Sequence, residues 1–255
     1  MKIFMLIILS VFLLSVPVSL HAAGIEVAVG GWHQSPQGDL SYEKLGPGDI
    51  LDLEDDLNYD DQLRLSGRLK IDMPFFLPNI YVMATQMEWD ETGQKTVNFN
   101  FGGDVFTGNQ EFDSELHLNH LDIALFYGIP PLEKATLGIL NIDIGVNIKI
   151  VDFKAEIKQN TTGSKESERL VIPVPTAYVG VQIRPWRKVS VELEGRGVTF
   201  SGDTYIGLIG RLKVRPLGPV FIAGGYRYEA VDFEEKGLDV DVSFRGPFAE
   251  IGLKF

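Results

Sequence analysis

From Leu140 to Ile150 every even-numbered residue is Leu, Ile or Val, and every odd-numbered one is Asn, Asp, Gly or Lys. Successive side chains of an extended strand point to opposite faces, so this alternation makes one face continuously apolar and the other hydrophilic. Strands of soluble sandwiches run to about five or six residues, whereas a tilted strand needs about 9–11 to cross a bilayer. The same period recurs in Leu63-Leu65-Gly67-Leu69-Ile71 against Gln62-Arg64-Ser66-Arg68-Lys70, in Ala177-Val179-Val181-Ile183 against Tyr178-Gly180-Gln182-Arg184, and in Ile206-Leu208-Gly210-Leu212-Val214 against Tyr205-Gly207-Ile209-Arg211-Lys213. In lipid such strands cannot present an open edge, because the edge N–H and C=O groups would have no water to bond. The pattern therefore predicts an all-β fold, a transmembrane antiparallel up-and-down β-barrel.

Strands are predicted near 24–33, 59–72, 79–90, 113–127, 137–157, 169–184, 188–200, 203–215, 219–233 and 242–255. The count is ten, with eight as the alternative, since an even number returns the chain to the side on which it began. Connections alternate in character. Met73–Pro78, Ile129–Glu133, Pro185–Arg187 and Pro216–Pro219 are short and carry proline, while those around 35–58, 91–112, 158–168 and 234–241 are mostly longer and more polar; the one near 201–203 is very short. Outer-membrane barrels have short periplasmic turns and longer extracellular loops. Both termini are accordingly expected in the periplasm, with acidic loops outside. Tyr59, Phe75, Phe76, Tyr81, Trp89, Phe126, Tyr127, Trp186, Tyr226, Tyr228 and Phe255 lie near strand ends and are candidates for two interfacial aromatic girdles.

The amino-terminal stretch reads differently. Lys2 precedes an apolar run from Ile3 to Val16, followed by Pro17 and the small-residue exit Ala22-Ala23. This is the layout of a secretory signal peptide, so residues 1–22 are expected to be removed and 23–255 to form one barrel domain. Cys is absent, which excludes disulfides, a thiol nucleophile and Cys-ligated metals. A net charge of -12 argues against nucleic acid as a partner, since phosphates require a basic face. Many of the acids sit between Asp49 and Asp61 and between Glu229 and Asp241, where charge runs are ordinarily solvated loops.

The last residues, Phe248 to Phe255, alternate and end on an aromatic, and look like the terminal strand recognised by the bacterial barrel-assembly machinery. Leu51-Asp52-Leu53-Glu54-Asp55-Asp56-Leu57 and the proline-bracketed Met73-Pro74-Phe75-Phe76-Leu77-Pro78-Asn79-Ile80 resemble two motifs of a family of poorly characterised Gram-negative outer-membrane β-barrel proteins. The resemblance implies the outer membrane as location, with its lipids and lipopolysaccharide as surroundings, and brings no catalytic residues.

The hydrophilic faces supply the candidate functional residues. Arg64, Arg68, Lys149, Arg196, Arg211, Lys213 and Arg227, with Asp143, Glu192 and Glu194, are expected to line the lumen and to pair across strands. In a barrel of this size side chains can fill the interior, which makes a structural role the first expectation. A slight excess of cations suggests a narrow, anion-preferring path as a second one. The alternative of another class is an outer-membrane hydrolase of lipid or peptide, using His33 with Ser35, His120 with Asp122, or the rim pair Asp60-Asp61. No phosphate-binding Gly loop, His-Glu-x-x-His or Gly-x-Ser-x-Gly is present. The expectation is a protein that is not an enzyme and needs no cofactor or metal.

Overall fold

The computed structural model describes residues 24–44, 48–74 and 76–255. The expected signal peptide and the girdle candidate Phe75 lie outside the described residues. The elements are β1 (Gly24–Tyr42), β2 (Leu51–Asp52), β3 (Gln62–Asp72), β4 (Asn79–Thr85), β5 (Glu88–Lys95), β6 (Phe99–Phe101), β7 (Asp104–Phe106), β8 (Gln110–Gly128), α1 (Pro130–Ala135), β9 (Leu140–Lys158), β10 (Lys165–Trp186), β11 (Val189–Phe200), β12 (Asp203–Leu217), β13 (Val220–Glu235) and β14 (Leu238–Lys254). Every neighbouring pair is antiparallel, and β14 closes on β1 from Glu26↔Lys254 to Tyr42↔Leu238. The result is a closed ten-strand barrel in which β4 and β5 share one position.

Strand β9 shows why the barrel has two storeys. Its even positions from Leu140 to Ile150 face outward, with Ile144, Val146 and Ile148 at least half exposed, while Asp143, Asn147 and Lys149 are buried inside. Past Ile150 the polarity inverts. Phe153, Ala155 and Ile157 are buried in the lumen, and Asp152, Lys154 and Glu156 take the outer wall. Strand β8 inverts at the same height, where His120 pairs with Val151 and Asn119 with Asp152. Strand β14 does likewise, burying Leu238, Val240, Val242 and Phe244 inside and exposing Ile251 outside. The ten steps from Leu140 to Ile150, about 3.3 Å each and tilted by about 40°, rise roughly 25 Å, the height of a membrane-facing apolar band. The barrel above that band is a cup with a wet outer wall and a dry interior.

The cup is filled by aromatics. Trp89 stacks on Phe244 at 4.9 Å, and Phe99 on Phe106 at 5.1 Å, with Trp32, Phe112 and Phe153 fully buried beside them. The segments expected as solvated loops contribute to this filling. Strand β1 runs on to Tyr42 rather than ending near residue 33, and Leu51, Leu53, Leu57 and Tyr59 turn inward. The acids of that segment stay at the surface, where Asp52 accepts hydrogen bonds from the Glu54 and Asp55 amides at 2.8 and 2.7 Å in an Asx-type turn. The girdle assignment is corrected in the same way. Tyr59, Tyr81, Trp89 and Phe126 are buried inside, whereas Phe76, Tyr127, Trp186, Tyr226 and Phe255 are exposed. Tyr59 and Trp89 are buried because the barrel continues beyond the membrane and its interior there is apolar, whereas Tyr81 and Phe126 face the lower lumen, where their rings receive Arg196 and Lys70. The turn at 129–133 is a short helix, α1, opening on Pro130-Pro131, where a missing N–H costs nothing.

One wall is interrupted. Strand β3 pairs with β4 only as far as Ser66↔Thr85, and β5 pairs with β8 alone. Side chains replace the ladder there: Arg64 Nε donates to Glu88 O at 2.9 Å, Trp89 Nε1 to Asp60 O at 3.1 Å, and Gln34 Nε2 to Gln86 O at 2.8 Å. Side-chain bridges open more readily than a continuous ladder, so amides of β5 should exchange at least about tenfold faster than those of β9 in micelles. Equal protection would show the seam to be as closed as the rest.

Across the upper outer wall Asp52, Asp39, Asp241 and Asp232 stand directly opposite one another on successive strands. Partial burial raises the Asp39 carboxyl above its ordinary value, and Asp52 and Asp241 raise it further. A carboxyl whose folded pKa is raised binds its proton more readily folded than unfolded, so its destabilising effect vanishes as pH falls through the folded value. Asp39→Asn should therefore stabilise the protein at pH 7 by up to roughly 1 kcal/mol and flatten the stability gain that wild type shows on acidification. Urea titrations at pH 7 and pH 5 measure both effects.

Candidate functional site

The lumen of the lower storey is the candidate site, because alternation directs every polar side chain of the membrane-crossing segments into it. Of the ten lumen candidates, Arg68, Arg196, Arg211, Lys213, Glu192 and Glu194 join one buried ion-pair network, Asp143 pairs with Lys70, Lys149 and Arg227 belong to a second cluster, and Arg64 instead spans the β3–β5 seam. Nearest the termini, Lys70 Nζ lies 3.0 Å from Asp143 Oδ2, and Lys213 Nζ lies 2.9 Å from Glu26 Oε1 and bonds Glu192 as well. Above them Arg68 joins Glu26 and Glu250, each at 2.7 Å, and Arg211 Nη1 joins Glu192 at 3.0 Å and Glu194 at 2.6 Å. Arg196 pairs with Glu194 at 3.3 Å and lies over the rings of Tyr81 and Tyr178, 5.0 and 5.2 Å from their centroids.

The network is closed at the top by a second cluster. Lys149 Nζ lies 3.0 Å from Asp122 and 3.5 Å from Glu229, with the Tyr205 ring 4.8 Å away. Arg227 bonds Glu229, donates to Thr85 Oγ1 at 2.9 Å, and stacks 4.4 Å from the centre of the Trp32 ring at the base of the aromatic filling. Glu26, Asp122, Glu229 and Glu250 carry as much of this network as the ten candidates do. Their positions share the inward parity of their strands, which is the signal that identifies them.

Room for the large side chains comes from small neighbours. A Cβ on Gly252 would sit 2.3 Å from the Phe221 ring, which fills the space beside it and receives Arg68 and Lys213 on its faces at 5.5 and 5.2 Å. Cations held between carboxylates and aromatic faces are spared much of the cost of leaving water.

The hydrolase candidates are separated by this geometry. His120 Nδ1 lies 2.9 Å from Leu118 O and must carry the proton that this contact needs, which leaves Nε2 to accept from Arg227 Nη2 at 3.2 Å. Asp122, 3.7 Å from Nε2, cannot then orient His120 as a general base. Both residues are buried mid-lumen, away from any rim. His33 Nδ1 is 3.7 Å from Asp61 on the outer wall, beyond hydrogen-bond length, and no hydrogen bond joins Ser35 to either among the described residues. Asp60 lends its backbone carbonyl to Trp89. Among the described residues no group of three or more His, Asp or Glu side chains is arranged to hold a metal ion.

No protein-family model matches the sequence, and no curated protein does. Among solved structures, the outer-membrane protease OmpT of Escherichia coli superposes with a TM-score of 0.51 at 8% identity, over 95% of this chain and 99% of that one. The chain has the outer-membrane β-barrel fold. The translocator domain of the autotransporter NalP from Neisseria meningitidis aligns with a TM-score of 0.41 at 10% identity, over 100% of this chain and 95% of that one. Ail, the attachment invasion locus protein of Yersinia pestis, aligns at 0.34 and 8%, over 91% and 99%. At these identities the likeness concerns the fold alone.

Removing one member of the buried network leaves its partners charged and unpaired. Lys149→Met should destabilise the barrel by roughly 3–5 kcal/mol in urea unfolding from micelles, and adding Asp122→Asn should restore part of that loss. A single variant as stable as wild type would mean that water reaches Asp122 and Glu229.

Proposed function

We propose that the protein is an outer-membrane barrel with a sealed lumen, a structural element that carries a rigid extramembrane cup, rather than a pore or an enzyme. The observation that carries this reading is the unbroken stack inside the barrel: paired Arg, Lys, Glu and Asp in the lower storey, then Trp32, Trp89 and the phenylalanines above. An anion-preferring path needs unpaired cations along an open line. Arg68, Arg196 and Arg211 are each held by glutamates, and the cup over them is dry.

Gly24 and Phe255 lie at the end with the short turns, which supports periplasmic termini and an extracellular cup. In this reading the apolar band, with exposed Tyr127 and Tyr226, meets lipid, and the cup wall meets lipopolysaccharide. Strand β14, followed by the exposed Phe255, is the segment that the barrel-assembly machinery would handle before it closes on β1. Refolded protein, shown to be folded by its heat-modifiable gel mobility, should give no channel steps in a planar bilayer under either an anion or a cation gradient. Reproducible steps with anion preference, altered in Arg211→Ala, would overturn the sealed barrel.

A further inference from the structure

The lower end of the lumen is not filled like the rest. Below the ion-pair network the strands open into a bowl formed by two adjoining cavities of about 180 and 290 Å³, which share Asp72, Glu133, Gln182, Arg184, Lys213 and Lys254. The deeper cavity is floored by the paired charges already described, so it leads nowhere. The outer one has a different balance: six of its lining residues are Arg or Lys, against Asp72 and Glu133 alone.

Among the described residues, three of those cations have no carboxylate partner. Lys213 and Lys254 reach Glu26, and Arg184 lies 3.9 Å from Glu133, but among the described residues no carboxylate lies within ion-pair distance of Arg187, Lys188 or Arg215. The side-chain hydrogen bonds of Arg215 and Lys188 go to backbone carbonyls. Arg215 Nη2 donates to Arg187 O at 2.6 Å and Lys188 Nζ to Pro216 O at 3.4 Å, bonds that tie the β10–β11 and β12–β13 turns together. Most of the N–H donors of these groups are left over. In a chain with 35 acids against 23 Lys and Arg, a concave patch of this sign does not follow from composition.

We propose that this bowl is a binding site for a phosphate-bearing anion. Planar Arg forks match the oxygen spacing of phosphate, and two unpaired Arg with a Lys around a concave wall supply more charge than a single carboxylate ligand would use. The closed floor makes the bowl a holding site and not the mouth of a channel. The anion has two possible sources, a soluble oligophosphate or the headgroup of a surrounding phospholipid, and both present the same group.

Trp186 reports on the site, because it lines the bowl and is 70% exposed, whereas Trp32 and Trp89 are fully buried in the cup. Folded protein in nonionic micelles is titrated with inorganic pyrophosphate, and protein in nanodiscs of phosphatidylcholine is compared with protein in discs doped with phosphatidylglycerol, reading Trp fluorescence and ³¹P linewidth. A saturable change with pyrophosphate, lost in Trp186→Phe, identifies the soluble source. A change confined to phosphatidylglycerol discs identifies the headgroup. In either case Arg187→Glu, at an exposed turn position that leaves the fold intact, should weaken the response by roughly tenfold, and Arg187→Glu with Arg215→Glu should remove it. No saturable response by either readout in both arms, or one unchanged in these variants, overturns the proposal.

Discussion

A strand in lipid has no water to satisfy its backbone, and the closing ladder between β14 and β1 answers that constraint for the whole molecule. Once the sheet is a cylinder, period two sends every second side chain into a space of fixed width. What those side chains can be depends on what lies on the other side of the wall. Along Leu140–Ile150 the outer face meets hydrocarbon, so the polar residues of the strand go inside; along Val151–Lys158 the outer face meets water, and the order reverses. The inversion near Ile150 and Asn119 marks a change of solvent, and the fold needs no break in the strand to accommodate it.

The two fillings depend on each other. A lumen packed with Arg68, Arg196, Arg211 and Arg227 is tolerable only when each charge meets carboxylates or aromatic faces, since an ion left alone in such a place costs several kcal/mol, roughly. The aromatic cup keeps bulk water from the upper side, which strengthens every pair beneath it. Trp32 joins the two regions: its ring receives Arg227 and its Nε1 donates to Gly246 O at 3.2 Å across the β1–β14 closure. Substituting it disturbs packing, charge and closure together.

Much of this was legible in the residues. Ten strands, their proline-bearing turns and the inward parity of the charged positions follow from period two and from turn chemistry. What escaped reading had physical causes. Gln34-Ser35-Pro36-Gln37-Gly38-Asp39 carries Pro and Gly among polar residues and so resembles a loop, yet β14 supplies a partner for it from Ser35↔Arg245 onward. Tyr59, Tyr81, Trp89 and Phe126 sit near strand ends like interfacial aromatics, but the burial of Tyr59 and Trp89 depends on how far the barrel extends past the membrane, and that of Tyr81 and Phe126 on the lumen cations their rings receive. The apolar run Val151-Phe153-Ala155-Ile157 was present in the sequence, but it changes parity from the run before it and so does not extend the same face. Pairings such as Lys213 with Glu26 or Arg68 with Glu250 join residues almost 190 positions apart, and only the closure of the cylinder brings them together.

The two ends of the cylinder have been treated in opposite ways by the same rules. At the cup end, loop residues with apolar side chains fold inward until Leu51, Leu53 and Phe101 are completely buried, and the surface that remains is acidic. At the terminus end the turns are too short to fold over the opening, so the space under them stays empty and is walled by whatever the strand ends carry. There the strand ends and turns carry Arg184, Arg187, Lys188, Arg215 and Lys254, cations more numerous than the acids within reach. With the middle of the lumen filled by paired charges, free polar groups are left mainly at its ends. Of these the acidic end is closed by its own residues, so the basic end is where unspent hydrogen-bond donors are concentrated.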